Sequence, residues 1–193
     1  MASLTVSWEQ YNALVERLAL NVFESGYPFN QIICIARGGM RVGDVLSRIF
    51  DTPLAILSTH SYAAEGGTIR SELVIAEHMT MTSPRLGDSV LLVDDMVDSG
   101  HTLSAVAKAL PERWPVIRTC KTAVLWWKAC STVKPDFYVE YLEESPWIHQ
   151  PFEVYDTLRP AELRARIARQ NLSQNPGERP ESEKARSEPR DST

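Results

Sequence analysis

Near the start of the chain, polar and apolar positions follow a helical period. Apolar side chains recur at intervals of three and four, at Trp8, Tyr11, Leu14, Val15, Leu18 and Val22. This spacing predicts an amphipathic helix. Ser7, with Gln10 three residues later, matches a capping box at its start, and Gly26 and Pro28 are expected to end it.

Further along, short runs are apolar on both faces, as in buried parallel strands. They are QIICIA (31–36), LAILST (54–59), SVLLVDD (89–95) and IRTCKTAVLWW (117–127). Helices are expected up to about Phe50 and over 102–110, an edge strand at DFYVEY (136–141), and a surface hairpin or flap within the polar residues 60–83. This order predicts an α/β fold, a mostly parallel twisted sheet with helices on both faces, plus a small flap or hood.

The end of the chain has a different composition. From Asn171 onward almost no apolar side chains occur and both charge signs are mixed. Such a segment cannot bury enough surface to offset its ordering entropy. We therefore predict one domain at 1–170 and a disordered polar tail at 171–193, with a helix-like pattern at 160–170.

Composition narrows the class of protein. A net charge of −5 and a pI of about 5.4 argue against broad binding to nucleic acid. No apolar run is long enough to cross a bilayer, and no signal peptide is expected. Cys34, Cys120 and Cys130 are widely spaced, which disfavours disulfides and structural zinc and favours a reducing cytosol. Each cysteine is interpreted as a small buried apolar residue.

The stretch DDMVDSGHT, residues 94–102, carries the strongest chemical signal. Ser99, Gly100, His101 and Thr102 form a turn into a helix start, whose free N–H groups and hydroxyls suit a phosphate monoester. Asp94 and Asp95 only accept hydrogen bonds when ionised, so they suit sugar hydroxyls or a bound magnesium ion. Together they predict a site for a ribose 5-phosphate. The alternative is a solvated acidic turn.

A second candidate loop follows the first predicted strand. Gly38 and Gly39 allow close approach of the backbone to a ligand, and Arg37 offers a planar fork to anionic oxygens. By itself this sequence is most often a plain loop. Beside a ribose-phosphate site it would suit a second, leaving phosphate group.

These motifs resemble the type I phosphoribosyltransferases. LLVDDMVDSGHTL (91–103) is similar to their phosphoribosyl-pyrophosphate motif. Over roughly residues 4–157 the chain resembles the bacterial xanthine-guanine members: IARGGMRVGDVLSR is similar to their pyrophosphate loop, SYAAEGGTIRSELVI to their flap, and SPWIHQPFEVY to their base-binding region.

The resemblance implies roles for the residues that bind phosphoribosyl pyrophosphate. Asp94 and Asp95 would hold ribose hydroxyls, and Asp95 would also ligate Mg²⁺. The turn from Ser99 to Thr102 would hold the 5-phosphate. Arg37, Gly38 and Gly39 would form the pyrophosphate loop, and Arg70 of the flap would also meet pyrophosphate. This loop often contains a non-proline cis peptide in the family, and the sequence leaves open whether the Arg37–Gly38 bond is cis.

It also implies roles around the base. Asp98 would face purine N7 as the catalytic group, Lys128 would donate to the 6-oxo group, and Trp147 would stack on the ring with Ile148 packing beside it. The alternatives are a solvated lysine at a strand end and an ordinary core or interface tryptophan. His149 and Phe152 depart from the family pattern, which leaves the preferred base open.

The expected protein is a cytoplasmic homo-oligomer, dimer or tetramer, that transfers phosphoribosyl to guanine, xanthine or hypoxanthine with Mg²⁺. It would bind small-molecule substrates and no nucleic acid. Two other functions stay open. One is a non-catalytic regulator that senses nucleotides on the same fold, and the other is a phosphoribosyltransferase for a different acceptor.

Overall fold

The computed structural model describes residues 3–62 and 72–174. The chain divides into two compact units, Met1–Gln150 and a second that begins at Pro151. The predicted domain boundary at residue 170 therefore lies later than the division in the structure. No helix in the described ranges combines the length and apolar character needed to span a membrane.

The elements alternate between strands and helices through most of the first unit. In chain order they are β1 (Ser3–Thr5), α1 (Trp8–Glu24), β2 (Gln31–Ala36), α2 (Gly39–Phe50), β3 (Leu54–Tyr62), β4 (Glu72–Ile75), β5 (Thr80–Met81), β6 (Ser89–Val93), β7 (Met96–Val97), α3 (His101–Arg113), β8 (Thr119–Lys128), β9 (Phe137–Leu142) and β10 (Trp147–His149). The second unit contains α4 (Val154–Thr157) and α5 (Pro160–Gln174).

The main sheet runs in the order β4-β3-β2-β6-β8-β7. Strands β2, β3, β6 and β8 pair in parallel, as their apolar runs predict. Strands β4 and β5 pair antiparallel with β3, so the described part of 60–83 contains a hairpin. Strand β9 pairs in parallel with β8 and lies off the main path, which confirms the edge strand.

The start of α1 confirms the predicted capping box. The Ser7 amide donates to Gln10 Oε1 at 2.8 Å, and the Gln10 amide donates to Ser7 Oγ at 3.2 Å. The helix buries one face, formed by Tyr11, Leu14, Val15, Leu18, Ala19 and Val22. These exchanges satisfy two N–H groups that a helix start otherwise leaves unpaired.

Helices cover both faces of the sheet, as the apolar strands require. On one face, Leu103, Val106 and Leu110 of α3 share a core with Ile33 of β2 and Leu92 of β6. On the other, Gly43 of α2 lies against Cys34, where an added Cβ would come within 2.7 Å of the Cys34 Cβ. Since successive strand residues face opposite sides, strand β2 is buried from both directions.

Two features differ from the sequence-based expectations. Strands β1 and β10 form a separate two-stranded parallel sheet that the sequence did not predict. Helix α5 extends the pattern at 160–170 to Gln174, so residues 171–174, which the sequence places in the polar tail, are helical. Its start is supported by the Arg159 amide, which donates to Glu162 Oε2 at 2.9 Å. Residues 175–193 lie outside the described part.

Candidate active site

Asp94 and Asp95 separate β6 from β7, but their backbone stays hydrogen-bonded to β8. The Asp94 amide donates to the Ala123 carbonyl at 3.1 Å, and the Asp95 carbonyl accepts from the Leu125 amide at 2.9 Å. The backbone is thus held by its neighbour strand on both sides of the interruption. Both carboxylates are therefore fixed at the carboxyl end of the sheet, the usual ligand site of such folds.

The two carboxylates interact with the local backbone and with each other. Asp94 Oδ1 accepts from the Asp95 amide at 2.9 Å, and Asp95 Oδ1 accepts from the Met96 amide at 2.8 Å. Burial raises the pKa of Asp94 well above its ordinary value, and the adjacent charge of Asp95 raises it further. Hydroxyl donors or a cation would relieve this unfavourable concentration of negative charge.

The turn after the aspartates opens into a pocket. Gly100 has a left-handed φ of 85°, and the His101 amide donates to Ser99 Oγ at 3.3 Å as α3 begins. A pocket of about 130 Å³ is lined by Asp94, Met96, Val97, Asp98, Ser99, Gly100, Thr102 and Leu103. The structure therefore brings most of the predicted phosphate turn together beside Asp94. The His101 side chain is exposed and is not in this lining.

The glycine loop of Gly38 and Gly39 packs directly on Asp94 and Asp95, which together form the acidic cluster. A Cβ on Gly38 would lie 2.5 Å from Asp95 Oδ1, and one on Gly39 would lie 2.9 Å from the Asp94 Cα. Only glycine permits this approach at both positions. A non-proline cis peptide is present in this loop and joins Ala36 to Arg37. The Arg37 side chain is exposed, and Arg70 lies outside the described residues.

Asp98 and Lys128 form an ion pair in which the two side chains differ in exposure. Lys128 Nζ lies 3.4 Å from Asp98 Oδ2, with the lysine side chain 6% exposed and the aspartate 61% exposed. Strand register accounts for the pairing: Met96 aligns with Trp126 and Val97 with Trp127, so continuing the chain brings Asp98 beside Lys128. The interpretation of Lys128 as a solvated strand-end residue is therefore wrong.

Cys130 was not predicted to belong to this group. Its thiol donates to Asp98 Oδ1, with Sγ at 3.1 Å from that oxygen. Cys130 is exposed, so its interpretation as a buried apolar residue is wrong. Cys34 is buried and Cys120 partly buried, and burial raises the pKa of each thiol to about 12. The sequence offered no signal for Cys130 because its partner is set by loop geometry after β8.

Two of the predicted base-binding residues, Trp147 and Ile148, come from β10. Trp147 is 62% exposed, whereas Ile148 is 3% exposed. Alternation along a strand directs neighbouring side chains to opposite faces, so Trp147 and Ile148 point in opposite directions, and the contact of Ile148 with the base stays a prediction. Gln150, which the sequence reasoning did not assign, is buried and donates to Asp95 Oδ2.

The acidic cluster fits a magnesium ion that is shared with a substrate. Within 3–62 and 72–174 no set of three or more histidine, cysteine or acidic side chains is arranged to hold a metal. Magnesium commonly uses one or two protein carboxylates and takes its other ligands from water and substrate phosphates. The adjacent carboxylates of Asp94 and Asp95 match that pattern.

The carboxyl end of this mostly parallel sheet carries paired aspartates, an anion-binding turn and a glycine loop. These features are typical of α/β proteins that bind nucleotide-like ligands at this end of the sheet. Residues 7–157 match the family model described as the phosphoribosyl transferase domain, and the chain belongs to this family.

Named relatives agree with this assignment. The xanthine-guanine phosphoribosyltransferase of Gluconobacter oxydans is 30% identical over 168 residues, covering 83% of this chain and 90% of the relative. The chain is also similar to the xanthine-guanine-hypoxanthine phosphoribosyltransferase structure of Helicobacter pylori, with a TM-score of 0.66 at 27% identity, covering 79% of this chain and 95% of that one. A purine phosphoribosyltransferase structure from Pyrococcus horikoshii gives a TM-score of 0.65 at 28% identity, with the same coverage of 79% and 95%.

Proposed function

We propose that this protein is a purine phosphoribosyltransferase of purine salvage. It joins guanine, xanthine or hypoxanthine to 5-phosphoribosyl-1-pyrophosphate and releases a nucleoside monophosphate and pyrophosphate. The observation that carries the proposal is the ion pair between buried Lys128 and exposed Asp98, the latter a residue that lines the phosphate pocket. A carboxylate acceptor beside an ammonium donor complements the N7–H and 6-oxo groups of a purine.

The substrate phosphoribosyl group is bound by the acidic cluster and the turn. The 5-phosphate accepts hydrogen bonds from the start of α3 and from Ser99 and Thr102, which line the pocket with Asp94. The ribose hydroxyls donate to Asp94 and Asp95. The glycine loop that packs on Asp95 offers backbone N–H groups and the Arg37 guanidinium to the pyrophosphate.

In the chemical step, the bond from the anomeric carbon to the pyrophosphate oxygen breaks and the bond to purine N9 forms, through an oxocarbenium-like state. Asp98 accepts the proton that the base loses as its nitrogen attacks. Lys128 donates to the 6-oxo group, and Trp147 stacks on the ring. Asp95 would hold Mg²⁺, and the bound ion would supply charge neutralisation for the leaving pyrophosphate.

The test is pyrophosphate release from phosphoribosyl pyrophosphate and Mg²⁺ with one base at a time. Guanine, xanthine or hypoxanthine should support release, and adenine and orotate should not, because they do not present the same N7–H and 6-oxo pair. Release with another base alone would identify a different acceptor. Binding without release for every base would favour the regulator.

Two further properties belong to the proposal. The free cysteines fit a cytoplasmic location, where thiols stay reduced. A homo-oligomer, dimer or tetramer, is expected from the family resemblance, and light scattering of the purified protein would measure it.

A further inference from the structure

Gln150 is a buried polar residue at the end of the base-binding strand. Exposure along this strand alternates, with Ile148 3% and Gln150 6% exposed while Trp147 is 62% exposed. Gln150 thus faces inward, one position after β10. Burying an amide is unfavourable unless its groups are hydrogen-bonded.

Only one end of this amide is satisfied among the residues that the structure describes. Gln150 Nε2 donates to Asp95 Oδ2 in a short hydrogen bond. Gln150 Oε1 is inaccessible to solvent and finds no hydrogen-bond partner in the described ranges. An unsatisfied buried acceptor destabilises the folded state. An apolar side chain of similar size would avoid that cost, so fold stability alone does not explain a glutamine here.

The hydrogen bond completes a clamp around Asp95. The Met96 amide donates to Oδ1 at 2.8 Å, and Gln150 donates to Oδ2. Gly38 packs on the same carboxylate, since a Cβ there would lie 2.5 Å from Oδ1. Hydrogen bonds at both oxygens and the packing of Gly38 therefore fix the orientation of the Asp95 carboxylate before any substrate binds.

We propose that Gln150 is a positioning residue that orients Asp95 for phosphoribosyl pyrophosphate and so links the base-binding strand to the ribose site. The inference rests on the proposed function, because it takes Asp95 as a substrate and magnesium ligand. Fixing a ligand carboxylate through a neighbouring hydrogen bond typically changes affinity by about 10- to 100-fold.

Gln150→Met tests the proposal, with Gln31→Met as a matched control. Gln31 is a fully buried glutamine, and its amide donates to the Ile32 and Pro53 carbonyls at 2.9 and 2.8 Å. Gln150→Met should weaken magnesium–phosphoribosyl-pyrophosphate binding about 10-fold with a nearly unchanged melting temperature, since it also removes the unsatisfied oxygen. Gln31→Met should lower the melting temperature and leave this affinity unchanged. Calorimetric titration and thermal unfolding measure both.

Gln150→Asn supplies a second readout. Its side chain keeps an amide but is one methylene shorter, so it withdraws the donor from Asp95 Oδ2. In both variants KM for phosphoribosyl pyrophosphate should rise while kcat at saturating substrate stays nearly unchanged, a division that a loss of fold stability would not produce.

The outcomes separate the two proposals. If Gln150→Met binds phosphoribosyl pyrophosphate as the unmodified protein does, or if Gln31→Met weakens binding equally, the positioning role is wrong. If Gln150→Met does not fold, an unchanged KM for phosphoribosyl pyrophosphate in Gln150→Asn would have the same meaning. Failure of the unmodified protein to bind phosphoribosyl pyrophosphate would instead overturn the proposed function.

Discussion

The two ends of the parallel sheet handle polar groups differently. At the amino-terminal end, polar side chains satisfy one another and the backbone. Asn30 Nδ2 donates to Asp88 Oδ1 at 2.8 Å while Asn30 Oδ1 accepts from the Ser89 amide at 3.0 Å. Gln31 donates to two carbonyls there. These contacts pair the polar groups at this end of the sheet with one another, so few of them can bind a ligand.

At the carboxyl-terminal end of the sheet, by contrast, polar side chains keep the capacity to interact with a ligand. Asp94 and Asp95 are adjacent like charges, and the pKa of Asp94 is raised by burial and then by Asp95. The side chain of Asp98 is 61% exposed although Lys128 beside it is almost buried. One end of the sheet is arranged for folding, and under the proposed function a substrate completes the interactions of the polar groups at the other end.

The largest expected effect comes from removing the proton acceptor at the functional end. Asp98→Asn should lower kcat about 100-fold, the usual range for general acid–base groups, while magnesium–phosphoribosyl-pyrophosphate binding survives. Asp95→Asn should instead raise the KM for that substrate and the requirement for magnesium. Steady-state kinetics and direct substrate binding measure whether Asp98→Asn changes kcat while Asp95→Asn changes KM.

Asp88→Asn is the matched control at the opposite end. It weakens the Asn30 contact and should lower stability by about 1 kcal/mol or less without changing kcat. Near-normal turnover of Asp98→Asn with all three 6-oxopurines would show that Asp98 is not catalytic.

A smaller effect is expected for Lys128→Ala. Loss of its charge-assisted hydrogen bond should weaken use of a 6-oxopurine by roughly 1–3 kcal/mol, seen in kcat/KM for the base. Affinity for phosphoribosyl pyrophosphate should barely change. Lys121→Ala, on the same strand but stacked on the Tyr27 ring at 4.9 Å, is the control and should leave both constants unaltered. Equal losses for both substrates would refute the assigned role of Lys128.

The smallest effect is expected from the end of the chain. Removing residues 175–193, whose polar composition gives them little apolar surface to bury, should leave activity and melting temperature nearly unchanged. A fall of several degrees, measured by thermal unfolding, would mean that this segment packs on the rest of the protein.

Local patterns made the frame of this fold predictable. The apolar run that becomes β6, followed at once by Asp94 and Asp95, indicated a buried strand with a functional end. The capping box at Ser7 fixed the start of α1. Each signal depends on residues that are neighbours in the chain, so spacing alone reveals it.

What escaped prediction depends on register and on contacts between distant segments. The contact of Cys130 with Asp98 needs the path of the loop after β8. The burial of Gln150 needs the pairing of β10 with β1, which no local pattern indicated. The opposite directions of Trp147 and Ile148 likewise follow only once β10 is known to be a strand.

Asp94→Asn tests the contrast between the two ends most directly. Because burial and Asp95 raise the pKa of Asp94, the folded state holds this proton more tightly than the unfolded chain. The stabilising contribution of this tightly held Asp94 proton is therefore lost as pH rises above the ordinary aspartate pKa of about 3.9. In substrate-free protein at about pH 8, Asp94→Asn should unfold at a higher temperature, by roughly 2–4 °C for each kcal/mol gained.

That gain should shrink towards about pH 4, where Asp94 is increasingly protonated in both states. Affinity for phosphoribosyl pyrophosphate should fall in the same variant, because a hydroxyl acceptor has lost its charge. Thermal unfolding across this pH range, paired with calorimetric binding, is the decisive measurement. Higher stability with weaker binding is the predicted result. A less stable Asp94→Asn at about pH 8, or one that binds the substrate normally, would contradict the account.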